Sequence, residues 1–368
     1  MSAAQTHQPL EAVVADAETR LCFPGSEDHA IKVEVTREAG IQIELAISGA
    51  RRWFQWTGEE FAELLPENDP KVPLAAWLAD ECFRRHVRVL AYRPGKRITL
   101  IDRSGHKPRI LKGFRRGRLE RMLEKYELAH SGLTGMGVIT PEVVEYEIPT
   151  QSMVLTYQTG EPLTVSAESM DLFHVAGEAL RAFQEHATSV GEKDFHAWDE
   201  LAVVKTRASR LQGAGARLPA GFEDCLARIE AVGEHLPEGT LGLAHRDLHD
   251  GQFLQQPRSL VLLDFDLMTR ADNALDAGNF LAHLVLRQMQ GVRGTTQRSV
   301  DQCGKKFLRG LDRAGDPGFW RRLRFYQATT FARLALVYLV RPRWSSVIAD
   351  LLRMSHRCLD DFDRIREG

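Results

Sequence analysis

Two short polar segments carry the residue types that could do chemistry in this chain. The first is His245-Arg246-Asp247-Leu248-His249-Asp250-Gly251-Gln252, and the second is Asp264-Phe265-Asp266, which follows the apolar run Leu260–Leu263. Phosphoryl transfer needs a carboxylate that orients the acceptor hydroxyl, oxygen ligands for Mg2+, and a cation on the nucleotide phosphates. All three residue types occur in this chain in the expected order, with Lys112 as the upstream cation.

The first segment matches the pattern H-R-D-x-x-x-x-N of kinase catalytic loops, except that Gln252 stands where Asn is usual. In its motif order, the stretch from about residue 86 to 345 resembles the aminoglycoside phosphotransferase and choline kinase superfamily, whose members share the protein-kinase-like fold. The resemblance implies that Asp247 is the catalytic base or positions the hydroxyl, and that His245 is a structural member of the loop. It also implies that Gln252 and Asp264 bind Mg2+. The longer side chain of Gln252 leaves altered metal affinity or weakened activity open.

Three acidic residues of this region have alternative interpretations. Asp266 stands where protein kinases have the glycine of D-F-G, and it could bind a metal-bound water or pair with a nearby arginine. Asp276 resembles a recurrent aspartate of the superfamily, but the favoured interpretation is an N-cap of a helix predicted over Ala277–Gln288. A lone Asp247 could merely cap a turn, and the complete motif argues against that alternative.

On the nucleotide side, Lys112 resembles the strand lysine that reaches the α- and β-phosphates of ATP. The helix predicted to follow carries Glu120, Glu124 and Glu127 on one face. We select Glu124 as the partner of Lys112, and a solvated helix face is the close alternative.

A basic turn and a hinge complete the predicted nucleotide site. The turn at 93–97 would lie over the phosphates, where its backbone amides together with Arg93 and Lys96 would form the cradle. A solvent-exposed basic turn is the alternative, because the turn has one glycine and no G-x-G-x-x-G pattern. The resemblance places the hinge between lobes, whose backbone would hydrogen-bond the adenine, at Thr156, Tyr157 and Gln158.

The hydrophobic pattern predicts an α+β, bilobal fold with an extra N-terminal α/β cap, and the resemblance implies that its two lobes are protein-kinase-like. Residues 1–85 form the cap with a β-hairpin, residues 86–160 the nucleotide-binding small lobe, and residues 161–368 the helical large lobe with the catalytic loop, metal and acceptor site. Within the cap we expect a hairpin turning at 37–40, a possible third strand Arg51–Trp56, a short helix from Thr57 to Leu65, and a helix Leu74–Arg85. The cap could cover the small lobe, form a dimer or close over the cleft.

Composition limits the classes of partner that the protein is expected to bind. The formal net charge of −2 gives no general reason to expect nucleic acid or an anionic membrane, and the five cysteines form no C-x-x-C pair. With no apolar run long enough to span a bilayer, we expect a cytoplasmic protein. Residues 280–345 carry 13 Lys and Arg against three Asp, so a neutral sugar or anionic metabolite fits better than a polycationic aminoglycoside.

We therefore expect an ATP- and Mg2+-dependent phosphotransferase that acts on a small-molecule hydroxyl. Two alternatives remain. One is a catalytically weak or dead nucleotide sensor or scaffold, and the other, less favoured because no A-P-E motif follows Asp264, is a protein kinase. Oligomeric state cannot be read from the sequence.

Overall fold

A computed structural model describes residues 9–22, 27–36, 40–186, 193–257 and 259–365, without the side chain of residue 342. The predicted turn at residues 37–39 lies outside the described residues. Within the described part of the chain, no helix is both long and apolar enough to cross a bilayer.

The N-terminal layer, formed by the described residues up to His86, begins with one helix packed on a four-stranded antiparallel meander. Its elements are α1 (Leu10–Leu21), β1 (His29–Val35), β2 (Ile41–Ile47), β3 (Ala50–Trp56) and β4 (Phe61–Glu63). The helix buries Leu10, Val13, Val14 and Ala17, which recur at helical spacing on one face. The predicted hairpin and third strand are confirmed.

Two predicted helices of this layer are wrong. Thr57 and Glu60 do not open a helix, since Thr57 N donates to Glu60 O (3.0 Å) and closes a turn between β3 and β4. Trp56 and Phe61 pair across that turn with ring centroids 4.6 Å apart, so the aromatic contact favours a strand pair. The helix predicted over Leu74–Arg85 is divided, because Asp80 caps a new helix by accepting from Phe83 N (3.0 Å). Its parts are a 3-10 segment at Pro73–Ala79 and α2 (Glu81–His86).

The small lobe is a five-stranded sheet with the strand order β5-β6-β7-β10-β9 and one helix. Its elements are β5 (Val87–Arg93), β6 (Arg97–Asp102), β7 (Arg109–Phe114), α3 (Leu119–Leu133), β9 (Val143–Glu147) and β10 (Ser152–Thr156). On one face, Ile98 and Leu100 pack with Trp53 and Leu74 of the N-terminal layer. The N-terminal layer therefore covers one face of the sheet. This is one of the three placements that were predicted for the cap. The opposite face, which carries Lys112, is left for the cleft.

The rest of the chain is mostly helical. Its helices are α4 (Met170–Glu185), α5 (Ala197–Gly213), α6 (Phe222–Gly233), α7 (Leu275–Met289), α8 (Gln297–Leu311), α9 (Pro317–Leu339) and α10 (Ile348–Arg364). Its short strands are β11 (Glu161–Pro162), β12 (Leu241–Ala244), β13 (Phe253–Gln256), β14 (Ser259–Leu262) and β15 (Thr269–Asp272). The largely buried α9 packs against α5, α6, α7 and α10.

One strand pair joins the two lobes. β8 (Val138–Ile139) comes from the range predicted as small lobe, yet it pairs in parallel with β14 of the large lobe. The boundaries at residues 85 and 160 stay a prediction. The β-rich first part and α-rich second part agree with the predicted α+β bilobal architecture.

Candidate active site

The loop His245–Gln252 leaves β12 and is anchored by the first turn of α7. The Asp276 carboxylate accepts from His245 N (2.6 Å) and from Arg246 N (2.8 Å), and it is completely buried. Burial raises the pKa of Asp276, while His245 and the two amides act in the opposite direction. The N-cap interpretation of Asp276 is wrong, because α7 begins at Leu275 and the carboxylate bonds the loop instead of its own helix. Two consecutive peptide groups before Asp247 are thereby fixed.

His245 connects this loop to the segment that carries Asp264. Asp247 N donates to His245 Nδ1 (3.3 Å), so Nε2 carries the ring proton and donates to Leu263 O (2.8 Å). Leu263 N in turn donates to Gln252 O (2.9 Å). These bonds bring the residues predicted for catalysis and metal binding into one place.

The Asp264-Phe265-Asp266 segment is held in an unusual backbone conformation. Asp264 has φ of 62°, in the left-handed region that non-glycine residues rarely adopt. Phe265 is fully buried and packs against the rings of Tyr126, Phe183 and His245. Strained residues persist where surrounding contacts impose them, and the buried Phe265 ring provides those contacts here.

Lys112 meets both carboxylates of this segment. Its Nζ donates to Asp264 Oδ1 (2.9 Å) and to Asp266 Oδ1 (2.6 Å). Burial alone would lower the pKa of Lys112, but the two carboxylates outweigh it and raise that pKa well above its usual value. Burial likewise opposes ionisation of Asp264, yet Lys112 and Arg97 lower its pKa. Lys112 and Asp264 are therefore both charged at neutral pH.

Two members of the site, Arg97 and Tyr126, were not predicted from the sequence. Arg97 forms an ion pair with Asp266, which realises the arginine alternative considered for that aspartate. Thr99 pairs with Lys112 in the β6–β7 register, and Arg97, two residues earlier, lies on the same face. The strand register would have identified Arg97, since alternation places it beside Lys112.

On α3 the structure places Tyr126 at the Lys112 ammonium, and Glu124 as the partner of Lys112 stays a prediction. Lys112 Nζ donates to Tyr126 Oη (2.9 Å), and Tyr126 is buried. Glu124 precedes Tyr126 by two positions and so projects from a different side of the helix. The position of Tyr126 beside Lys112 depends on the helical phase, which the sequence alone did not fix.

The predicted phosphate cradle at the β5–β6 turn is occupied by carboxylates of the N-terminal layer. Arg93 Nη2 and Lys96 Nζ donate to Glu34 at 2.7 and 2.5 Å, and Gly95 N donates to Asp69 Oδ2 (2.6 Å). Burial would raise the pKa of Glu34, but Lys32, Arg93 and Lys96 lower it overall. The turn is therefore neither a free cradle nor a simple solvent-exposed turn, and a phosphate role for Arg93 and Lys96 stays a prediction.

The predicted hinge follows β10. Thr156 N donates to Glu142 O (3.0 Å), so this amide is already bonded. Gln158 Nε2 donates to Thr156 Oγ1 (2.9 Å), and the Tyr157 side chain is exposed. The backbone of Tyr157 and Gln158 is thus the part of the predicted hinge that best suits an adenine.

A cavity of about 750 Å3 lies between the N-terminal layer, the β5–β6 turn and Asp266. Seven of its lining residues are basic and four are acidic. The basic ones are Lys71, Arg93, Lys96, Arg97, Arg115, Arg118 and Arg210. This excess of cations suits an anionic ligand such as the phosphates of a nucleotide.

The donor set fits a divalent cation as well. Asp264 and Asp266 offer carboxylate oxygens and Gln252 offers an amide oxygen, which are the ligands that hard cations prefer. A second group, His249, Asp250 and His283, has candidate ligand atoms within 4.8 Å of one another. Its only carboxylate, on Asp250, already accepts from Arg287 Nε (2.8 Å).

The comparisons with known proteins agree with this geometry. The model of a family described as "Phosphotransferase enzyme family" matches residues 98–326. No curated protein matches the sequence. A choline/ethanolamine kinase family protein from Mesorhizobium loti is 17% identical and has a TM-score of 0.53, with 78% of this chain and 97% of that chain covered.

Two other solved structures give similar values. Choline kinase LicA from Streptococcus pneumoniae is 14% identical with a TM-score of 0.53, covering 78% of this chain and 99% of that chain. Amicoumacin kinase hAmiN, in complex with AMP-PNP, Ca2+ and Ami, is 15% identical with a TM-score of 0.54, covering 77% and 92%. At these identities the likeness concerns the fold, and the predicted kinase-like architecture is confirmed.

Proposed function

Since the chain belongs to the phosphotransferase enzyme family, we propose that it transfers the γ-phosphoryl group of ATP to a hydroxyl of a small molecule. The observation that carries the proposal is the meeting of Lys112 with Asp264 and Asp266 next to the loop of Asp247. Phosphoryl transfer depends mainly on positioning and on compensation of phosphate charge, and these groups supply both.

Each residue takes a distinct role in this proposal. Asp247 orients the acceptor hydroxyl, and His245 keeps the loop in place through its bonds to Asp247 N and Leu263 O. Lys112 contacts the phosphates of the nucleotide. Asp264, Asp266 and Gln252 would hold a divalent cation, expected to be Mg2+, which neutralises phosphate charge when bound. The hinge, principally the backbone of Tyr157 and Gln158, would bind the adenine.

The chemical step has a simple balance. The acceptor oxygen forms a bond to the γ-phosphorus, while the bond from that phosphorus to the oxygen bridging to the β-phosphate breaks. The hydroxyl proton passes to the Asp247 carboxylate, and the released ADP keeps the electron pair of the broken bond. Asp247 must therefore be ionised before transfer and hydrogen-bonded to the acceptor.

For the acceptor, we propose a neutral or anionic metabolite. Like charges brought together at a binding site cost several kcal/mol, so the excess of Lys and Arg over Asp in residues 280–345 disfavours a polycation. Some of these cations are engaged in ion pairs, such as Arg287 with Asp250 and Arg322 with Asp272. Others keep unbonded donors, as described below for Arg333 and Arg341.

The test is ADP release with Mg-ATP across sugars, hydroxy acids, amino alcohols, aminoglycosides and peptides. Asp247→Asn should lower acceptor-dependent turnover by about 100-fold or more, the scale of a lost general base. Asp301→Asn, an exposed aspartate on α8, is the matched control and should keep full activity. Binding of ATP without turnover on any acceptor would reject the proposal in favour of a nucleotide sensor, and turnover only on peptides would indicate a protein kinase.

A further inference from the structure

Three arginines from α5 and the end of α9 converge beside the catalytic loop. Glu200 Oε1 on α5 lies 3.4 Å from Arg333 Nε on α9, which sets the contact between these helices. Arg207 lies about two helical turns beyond Glu200, and Arg341 lies just after α9, about two turns beyond Arg333. The charges of Arg333 and Arg341 both act on the buried Arg207, so the three guanidinium groups lie near one another.

This arginine cluster (Arg207, Arg333 and Arg341) is connected to the catalytic loop by two hydrogen bonds. Arg333 Nη2 donates to Asn279 Oδ1 (2.6 Å), and Asn279 Nδ2 donates to Leu248 O (2.7 Å). Leu248 follows Asp247 directly. Two hydrogen bonds therefore connect Arg333 to the residue next to Asp247, which is proposed to orient the acceptor hydroxyl.

The cluster is held at an electrostatic cost. Burial, followed by the charges of Arg333 and Arg341, lowers the pKa of Arg207 to about 10. The Nε atoms of Arg207 and Arg341 are buried without a hydrogen-bond partner among the described residues, and Arg333 Nε has only the 3.4 Å ion-pair contact with Glu200. Buried donors left unbonded cost free energy, so an external anionic acceptor would stabilise these like-charged groups.

The acids nearby are already committed to other cations. Glu34, whose charge reaches Arg207, bonds Lys32, Arg93 and Lys96. Glu44, whose charge interacts with Arg341, lies 3.6 Å from Arg51. Glu200 is thus the one acid among the described residues with an ion-pair contact to the cluster, and it cannot balance three guanidinium groups.

The adjacent histidines favour an anion over a metal ion. Both ring nitrogens of His283 are buried without a hydrogen-bond partner among the described residues, and the ring stacks on His249 at 4.9 Å. Burial, His249, Arg333 and Arg287 together lower the pKa of His283 well below its usual value. The same positive charges would repel a metal ion, whereas a neutral imidazole can donate its N–H to an anionic oxygen.

We propose that the cluster of Arg207, Arg333 and Arg341 binds an anionic group, a carboxylate or a phosphate, of the acceptor molecule. This inference rests on the proposed phosphotransferase function and narrows its acceptor to an alcohol that carries a negative charge. Guanidinium groups bind both kinds of oxyanion through paired N–H donors. The acceptor hydroxyl would then be positioned by two contacts, the anion at the cluster and Asp247.

Matched acceptor pairs test the inference. Gluconate is compared with neutral sorbitol, and glucose 6-phosphate with glucose, which separates carboxylate from phosphate recognition. We expect the anionic member of at least one pair to have a higher kcat/KM. Arg207→Gln should lower that value about 10- to 100-fold, the loss of one charged hydrogen bond, and leave the KM for ATP unchanged. The control Arg353→Gln, an exposed arginine of α10, should change neither.

A binding measurement tests the proposed anion site independently of turnover. Inorganic phosphate, compared with chloride at equal ionic strength, should raise the melting temperature of the wild type and of Arg353→Gln more than that of Arg207→Gln. Without added anion, Arg207→Gln should melt at or above the wild-type temperature, because it removes a buried like charge.

The outcomes separate the two proposals. Equal kcat/KM for charged and neutral acceptors, unaffected by Arg207→Gln, would overturn the anion site while the phosphotransferase function stands. Phosphate binding that depends on Arg207, in a protein that phosphorylates none of the acceptors, would keep the anion site and count against the proposed function. Equal stabilisation of wild type and Arg207→Gln by phosphate, with no turnover, would overturn the anion site.

Discussion

Replacing Glu34 by Gln should weaken the attachment of the N-terminal layer to the β5–β6 turn. The Glu34 side chain is 12% exposed, and its partners Lys32, Arg93 and Lys96 are 26%, 36% and 53% exposed. A hydrogen bond to a charged group contributes about 1.5–3 kcal/mol when buried, and an exposed ion pair at most about 1 kcal/mol. Because one side of the cluster is open to solvent, we expect a loss of about 2 kcal/mol in the free energy of unfolding.

The loss should depend on pH in a defined direction. The folded state lowers the pKa of Glu34, whereas an unfolded glutamate titrates near about 4.3. The stabilisation is thus fully present above that value and is lost as the pH falls through the folded pKa. The difference between wild type and Glu34→Gln should stay constant between pH 7 and about 5.5 and shrink in more acidic solution.

Urea unfolding at neutral and acidic pH measures this difference. Glu81→Gln is the control, because Glu81 forms an exposed i,i+4 ion pair with Arg85 and should contribute less than about 0.5 kcal/mol. Equal unfolding midpoints for Glu34→Gln and wild type at pH 7 would refute the assignment of Glu34 as the anchor of the turn. A difference that grows on acidification would contradict the sign of its pKa shift.

Two further substitutions test the nucleotide site. Lys112→Met should lower kcat/KM for ATP by about 100-fold or more in the ADP-release assay. The substitution leaves the carboxylates of the 264–266 segment without their buried ammonium partner. Near-normal activity of this variant would contradict the proposed role of Lys112. Tyr126→Phe removes the hydroxyl bonded to Lys112 and should weaken ATP binding, measured by calorimetry, about three- to tenfold. Glu124→Gln should have a smaller effect. A larger effect of Glu124→Gln would favour Glu124 as the partner of Lys112.

The sequence could identify a candidate catalytic loop because the residues of the motif are close together in the chain. His245, Asp247 and Gln252 lie within eight consecutive residues, and Asp264 follows after one short strand. Arg97 and Tyr126 were not predicted as site residues, because the position of Arg97 beside Lys112 depends on strand register and that of Tyr126 on helical phase. Both quantities are set by packing rather than by local pattern.

Long-range contacts limited the prediction in another way. Glu34 reaches Arg93 across 59 positions of sequence, and nothing in the local pattern of β1 marks that carboxylate as a partner of the turn. The N-cap role predicted for Asp276 was wrong for a related reason. A helix N-terminus and the amides of a loop 30 residues earlier can both bind a carboxylate. Desolvation decides between these two roles, because the completely buried Asp276 needs the loop amides as donors.

The proposed acceptor site extends beyond the part of the chain that the family model matches. The match covers residues 98–326 and therefore contains Lys112, Asp247 and Asp264, which we propose to carry out phosphoryl transfer. Arg207 also lies within the match, whereas Arg333 and Arg341 lie beyond its end and the N-terminal layer with Glu34 lies before its start. Since a shared catalytic site serves many acceptors, selectivity has to come from groups outside it. The arginine cluster has that property, because it adjoins the Asp247 loop and makes no contribution that phosphoryl transfer itself requires.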